Sequence, residues 1–113
     1  MKTNNIIDLE NYRTQLGSVK SRVFTGRDRG EDVRKRSNVN KIFDDNDIVV
    51  VKIPSDVYSI TPSFLEQFFY DVVKKYGKDR FLQMIQWETN GYNIEGPLDE
   101  AIDRIINDKT GLD

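Results

Sequence analysis

A chain of 113 residues is long enough for one domain that buries roughly two-thirds of the surface its unfolded form exposes. With 37% apolar, 11% aromatic and 32% charged residues it has the makings of a core under a polar surface, which excludes a disordered tail. Its net charge of −2 is not that of a typical nucleic-acid binder, and with no cysteine and no histidine it lacks disulfides, thiolate metal sites and imidazole bases, which removes most hydrolase and zinc mechanisms.

Residues 1–18 are polar around one apolar patch, Ile6, Ile7 and Leu9, which reads either as an edge strand or as a loose segment. No run here suits a signal peptide, and no stretch approaches the ~20 apolar residues of a membrane span, so the expected location is cytoplasmic. After a turn at Gly17-Ser18, alternation in VKSRVF predicts a strand over 19–24. Thr25 with Asp28 makes a capping-box-like pair at the start of GRDRGEDVRKRS, a helix over about 25–36 with almost no apolar stripe. Small residues line one of its faces instead: Gly26, Gly30, Val33 and Ser37. Such a face permits close backbone approach, and the ~1 kcal/mol that an interior glycine costs relative to alanine implies a packing or ligand reason for Gly30. Ile42 and Phe43 add to the core, and Phe43 to Asp47 reads as an acidic turn.

The run from Asp47 to Ile53 is apolar and β-branched, which predicts an interior strand covered on both faces and stopped by Pro54. Next comes the clearest helix of the chain, over 61–76. Phe64, Leu65, Phe68, Phe69, Val72, Val73 and Tyr76 fall on one face, and Gly77 ends it. Two starts compete: Thr61 as N-cap with Pro62 at the first helical position, or Ser63 with Glu66 as a capping box; the early Phe64/Leu65 stripe favours Thr61. FLQMIQWE (81–88) reads as a second strand, Asn90-Gly91 as a turn, and Tyr92 and Ile94 as a few extended residues. A last helix is expected from Gly96-Pro97, burying Leu98, Ala101, Ile102, Ile105 and Ile106, with a frayed tail at 109–113. The β-α-β-α-β-α order argues an α/β sandwich with a small, at least partly parallel sheet.

Charge is uneven along the chain. Residues 1–56 carry 11 basic and 9 acidic side chains, residues 57–113 carry 6 and 10, and between Lys20 and Arg36 seven basic residues face three acidic ones. Arg22, Arg27, Arg29 and Arg34 are therefore candidates for contact with an anion or a partner; the plain alternative is a solvated helix face with Glu31 paired to Arg34 or Lys35. Asp44, Asp45 and Asp47 lack the spacing of a calcium loop, and GRDRG lacks the Gly-Lys-Ser/Thr of a phosphate loop, so no metal and no cofactor are expected. No base-nucleophile pair is identifiable, so the chain is not expected to be an enzyme.

Two stretches carry a resemblance. FTGRDRGEDVRKR, with Gly26, Arg27, Gly30 and Arg34, and IVVVKIPSDVYSITPSFLEQFF resemble the STAS-like domain family of unknown function, a bacterial and phage group related in fold to the anti-sigma-factor antagonists. The likeness covers about residues 19–108, leaving 1–18 as an N-terminal polar segment or edge strand. It implies a single STAS-like α/β domain with a small mixed or mostly parallel sheet of about four strands and three main helices. It further implies a non-catalytic protein-interaction or regulatory module, a possible partner-switch adaptor of a kinase-like ATPase. Ser63 matches the phosphorylatable serine of the antagonists, although Pro62 replaces the serine before it and the flanking aspartate and glycine are missing. Thr61, Ser63 and Gln67, at the start of the 61–76 helix, are then the partner-binding residues, with Gln67 expected to be exposed. The rival expectation is a nucleotide- or nucleic-acid-binding regulator that uses the four arginines; a phage-encoded inhibitor of a host system is a special case of the first.

Overall fold

The patch of Ile6 and Ile7 is a strand, held by backbone pairing rather than by its own length. In the computed structural model, which describes residues 4–108, Ile6–Asp8 (β1) runs into a 3₁₀ turn at Leu9–Tyr12, whose N-cap Asp8 accepts the amide of Glu10. Gln15–Leu16 (β2) and Val19–Lys20 (β3) form a small antiparallel hairpin around Gly17. The strand expected over 19–24 is broken there. Ser21 donates its amide to Thr14 and so closes the hairpin, leaving Val23–Phe24 (β4) to pair elsewhere.

Helix α1 spans Arg27–Ser37 and starts at Gly26 rather than at a Thr25 cap. Gly26 has φ of 90°, a conformation that L side chains resist, so the turn into the helix is built on glycine instead of a hydroxyl cap. Of the acidic turn expected over Phe43 to Asp47, only Asn46 and Asp47 form the link into the next strand; the first three residues end a short helix, Val39–Asp45 (α2), entered through Asn38 in the left-handed region, which buries Val39, Ile42 and Phe43. Val49–Lys52 (β5) follows, then Ser59–Ile60 (β6), Pro62–Phe68 (α3), Tyr70–Tyr76 (α4), Lys78–Met84 (α5), Ile85–Glu88 (β7) and Glu95–Asn107 (α6).

The order of the main sheet is β1-β5-β7, all parallel, with Ile7 beside Val51 and Val51 beside Trp87; β4 and β6 make a separate parallel pair. The chain is thus mixed α/β with small, mostly parallel sheets. Among the described residues it has seven short strands and six α-helices in place of four and three, because turns and bends cut the longer expected elements. β5 is the central strand, but only one face is covered. Val49, Val51 and Ile53 are buried, whereas Val50 and Lys52 are half-buried beside Ile6, Asp8, Gln86 and Glu88. Valine suits a strand on either face, so composition alone overstates the cover.

The helix expected over 61–76 is two helices that meet at Phe69 (φ −102°, ψ 9°). FLQMIQWE is half helix and half strand: Phe81 and Met84 sit three residues apart on the buried face of α5, and the strand begins only at Ile85. Asn90-Gly91 is the expected turn, with φ of 52° and 93°. Tyr92 and Ile94 belong to a loop rather than a strand; the Tyr92 hydroxyl accepts the amide of Ile60. Helix α6 starts one residue early, at Glu95, and buries Leu98, Ala101, Ile102 and Ile105 while Ile106 faces out. The tail expected at 109–113 lies outside the described residues.

One core joins these layers. All six phenylalanines of the chain form a connected path: Phe24 against Phe64, then Phe68, Phe69, Phe81 and Phe43, with ring centroids 4.5–5.7 Å apart. Such tilted and offset pairs add about 0.5–1.5 kcal/mol each beyond area burial.

Candidate functional site

Because β4 and β6 are parallel neighbours, the helices that follow them, α1 and α3, start side by side. Thr61 joins the two starts. Its hydroxyl accepts the Phe64 amide at 3.4 Å as the N-cap of α3 and the Gly26 amide at 3.3 Å at the head of α1, while the Ser63 hydroxyl lies 3.1 Å away. Pro62 occupies the first helical position, so Thr61 rather than Ser63 is the cap. The helices then press together through Gly30, where an added Cβ would stand 2.3 Å from the Phe64 carbonyl oxygen and 2.9 Å from Gln67 Cβ. The small face of α1 is a packing face, with Gly30, Val33 and Ser37 buried.

A buried acid stands behind this junction. Glu66 in α3 is 4% exposed, with Arg27 Nη1 3.4 Å from Oε2 and Arg104 Nη1 3.8 Å from Oε1. Neither contact is a hydrogen bond to Oε1, which is buried and has no donor. The three residues, with Asn107 and Asp108, line an open groove of about 540 Å³. At its far end Asp108 accepts the Tyr70 hydroxyl at 2.7 Å, which pushes the tyrosine pKa up, and its carbonyl accepts Lys74.

The four candidate arginines have four separate settings. Arg22 is largely exposed, 3.8 Å from Asp56, in a groove between the hairpin and Tyr58. Arg27 lies over Glu66. Arg29 donates to the Tyr12 carbonyl and to Asp32, and Arg34 donates to the Gln67 carbonyl at 2.8 Å with Asp71 3.8 Å away. They form no common cradle for an anion, and the last two act as braces. Lys35 pairs with Glu31 at i−4, as a solvated face would. Gln67, expected to be exposed, is half-buried because its Cβ abuts Gly30 and its carbonyl holds Arg34. Thr61 and Ser63 are also half-buried. Asp44 is engaged by Lys75 and Tyr76 and Asp45 by Lys41.

Family models, curated proteins and solved structures offer no match to this chain. The site therefore rests on its own geometry. Glu66 and Arg104 escape a reading of the sequence, although one signal exists: Glu66 is a carboxylate set directly against Leu65 on the helix with the strongest apolar stripe. Arg104 has no such signal, since only the fold brings α6 to α3. No helix among the described residues is long and apolar enough to cross a membrane.

Proposed function

We propose that this chain is a non-catalytic, STAS-like interaction module that docks a protein partner through the adjoining heads of α1 and α3. The kinase-like ATPase implied by the family resemblance is the partner class it suits. One observation carries the reading: the Thr61 hydroxyl is bonded to both helix heads, with the Ser63 hydroxyl in contact with it. A change of charge at Ser63 would therefore act on two helices at once. A phosphate there adds roughly −1.5 to −2 charges near the positive end of a helix, which the fold accepts but a docked apolar or acidic surface does not.

The test compares Ser63→Asp with Ser63→Ala, after a pull-down from the native host and mass spectrometry have identified the partner. Ser63→Asp is expected to keep the circular dichroism spectrum and unfolding midpoint while losing partner binding; Ser63→Ala is expected to bind. Equal binding by both places the interface elsewhere. Gln67 is a poor probe, since its side chain is part of the α1–α3 contact.

A further inference from the structure

Side chains plug edge amides of the parallel sheets. Ile6 of β1 donates to Asn4 Oδ1, Val23 of β4 to the Ser21 hydroxyl and Ile60 of β6 to the Tyr92 hydroxyl, which keeps an edge from pairing with another chain. β7 is the other edge of the main sheet, and it has no such plug. Its Glu88 carbonyl accepts the Ile53 amide, and Val51 stands beside Trp87. The parallel ladder therefore takes the backbone groups of Gln86 and Glu88 and turns those of Ile85, Trp87 and Thr89 outward. Two outward groups are occupied within the chain: the Ile85 amide by the Phe81 carbonyl, and the Thr89 carbonyl by the Tyr92 amide. Among the described residues, nothing pairs with the Ile85 carbonyl, with either backbone group of Trp87, or with the Thr89 amide.

These open groups complement themselves about Trp87. In an antiparallel pairing of two copies of β7 with the Trp87 residues opposite each other, Trp87 exchanges both backbone bonds with its counterpart, and each Thr89 amide meets the Ile85 carbonyl of the second copy. The two occupied groups fall opposite one another, so no open group is stranded. The side chains agree with this register. On the exposed face each Gln86 stands opposite Glu88 of the second copy, in the closely spaced, non-hydrogen-bonded position where its amide donates to the carboxylate. Centring the pair on Glu88 would set two carboxylates against each other, and centring it on Gln86 would spend the occupied Ile85 amide. We infer that β7 is a self-pairing edge, through which two copies of this chain join antiparallel about Trp87 into one continuous sheet. A second copy is the occupant because the pattern is its own complement, and a seam this short makes the dimer weak and exchanging. The inference does not rest on the docking reading above.

Sedimentation equilibrium of the full chain at concentrations up to about 1 mM, which reaches association as weak as a millimolar Kd, tests the pairing. Amide exchange is followed by NMR on the same samples, together with the emission of Trp87, the single tryptophan. A monomer–dimer equilibrium is expected, with the Trp87 and Thr89 amides exchanging more slowly, and the emission moving to shorter wavelength, as the dimer forms. Thr89→Pro removes a donor that bonds nothing within the chain, and is expected to abolish the dimer while keeping the circular dichroism spectrum. Gln86 is exposed, so its variants act on the seam rather than on the core. Gln86→Glu sets like charges across the seam and is expected to weaken the dimer about tenfold, whereas Gln86→Lys, facing Glu88, is expected to tighten it by about as much. Should Thr89→Pro fold poorly, the two Gln86 variants decide alone. A monomer at every concentration, amide exchange at Trp87 and Thr89 that ignores concentration, or Gln86 variants that move the dissociation constant alike or not at all would overturn the inference.

Discussion

Gly30 shows how much one residue decides. Alanine is the better helix former by ~1 kcal/mol, and on an exposed helix Gly30→Ala would stabilise. Here the new Cβ would stand 2.3 Å from the Phe64 carbonyl oxygen, which is backbone and cannot step aside without moving α3 off its strand. The expected outcome is a net loss of about 1–3 kcal/mol, the usual cost of overpacking, read by denaturant unfolding; an unchanged or higher midpoint would mean that the helices separate freely. The importance of Gly30 is legible in the spacing Gly26-Gly30-Val33-Ser37. Its contact is not, since nothing in the sequence says that Phe64 lies opposite. Glu66 is the converse case, a residue whose type argued for the surface and whose place in the fold buries it.

The break between α3 and α4 shows how elements differ from their sequence patterns. Kinks in helices have causes, and neither proline nor glycine lies near Phe69. Arg34 instead donates to the Gln67 carbonyl at 2.8 Å, an oxygen whose helical partner would be the Asp71 amide, so the ladder is disturbed within the turn that holds Phe69. Phe68 and Phe69, at the bend, are both buried. Arg34→Ala is expected to cost about 1.5–3 kcal/mol, the range for a hydrogen bond to a charged group, and Phe68→Ala about 3–5 kcal/mol through the cavity it leaves. Thermal unfolding of the two variants checks both; a silent Arg34→Ala would show that the kink belongs to the two phenylalanines. The stripe from Phe64 to Val73 was readable because helical periodicity survives a bend. The contact at the bend comes from an arginine 33 residues away, which no local pattern announces, and FLQMIQWE is ambiguous because an apolar run of that length has no period that separates a helix turn from a strand.

At the scale of the whole molecule, sequence shows that opposite charges exist and the fold shows which of them meet. Arg13 is the clearest example, almost fully buried and joined to Asp56, 43 residues away, through both carboxylate oxygens at 2.9 and 2.7 Å, and to Glu10 at 2.9 Å. This predicts the pH dependence of stability. The Arg13 guanidinium holds Asp56 below its ordinary 3.8, and Lys20 followed by Arg13 holds Glu10 below 4.5; Lys75 and then Tyr76 lower Asp44, and Lys35 lowers Glu31. A carboxylate whose pKa is lower folded than unfolded contributes stability that is complete above the unfolded value and is lost as pH falls through the folded one. The unfolding midpoint should therefore fall as pH drops from about 5 to about 3. At the alkaline end the sign reverses: Asp108 raises Tyr70, and Asp44 raises Tyr76 and Lys75, so their contribution is complete below the ordinary values near 10 and lost above the raised ones. With no histidine and no cysteine, no side chain of ordinary pKa titrates between these limbs, and the midpoint should stay level from about pH 5 to 8. Calorimetric midpoints across pH 3–11 test the profile. Arg13→Ala should lower the plateau and flatten the acid limb together, because one guanidinium serves two of its four carboxylates; a full acid limb in that variant would show that Glu10 and Asp56 draw nothing from Arg13.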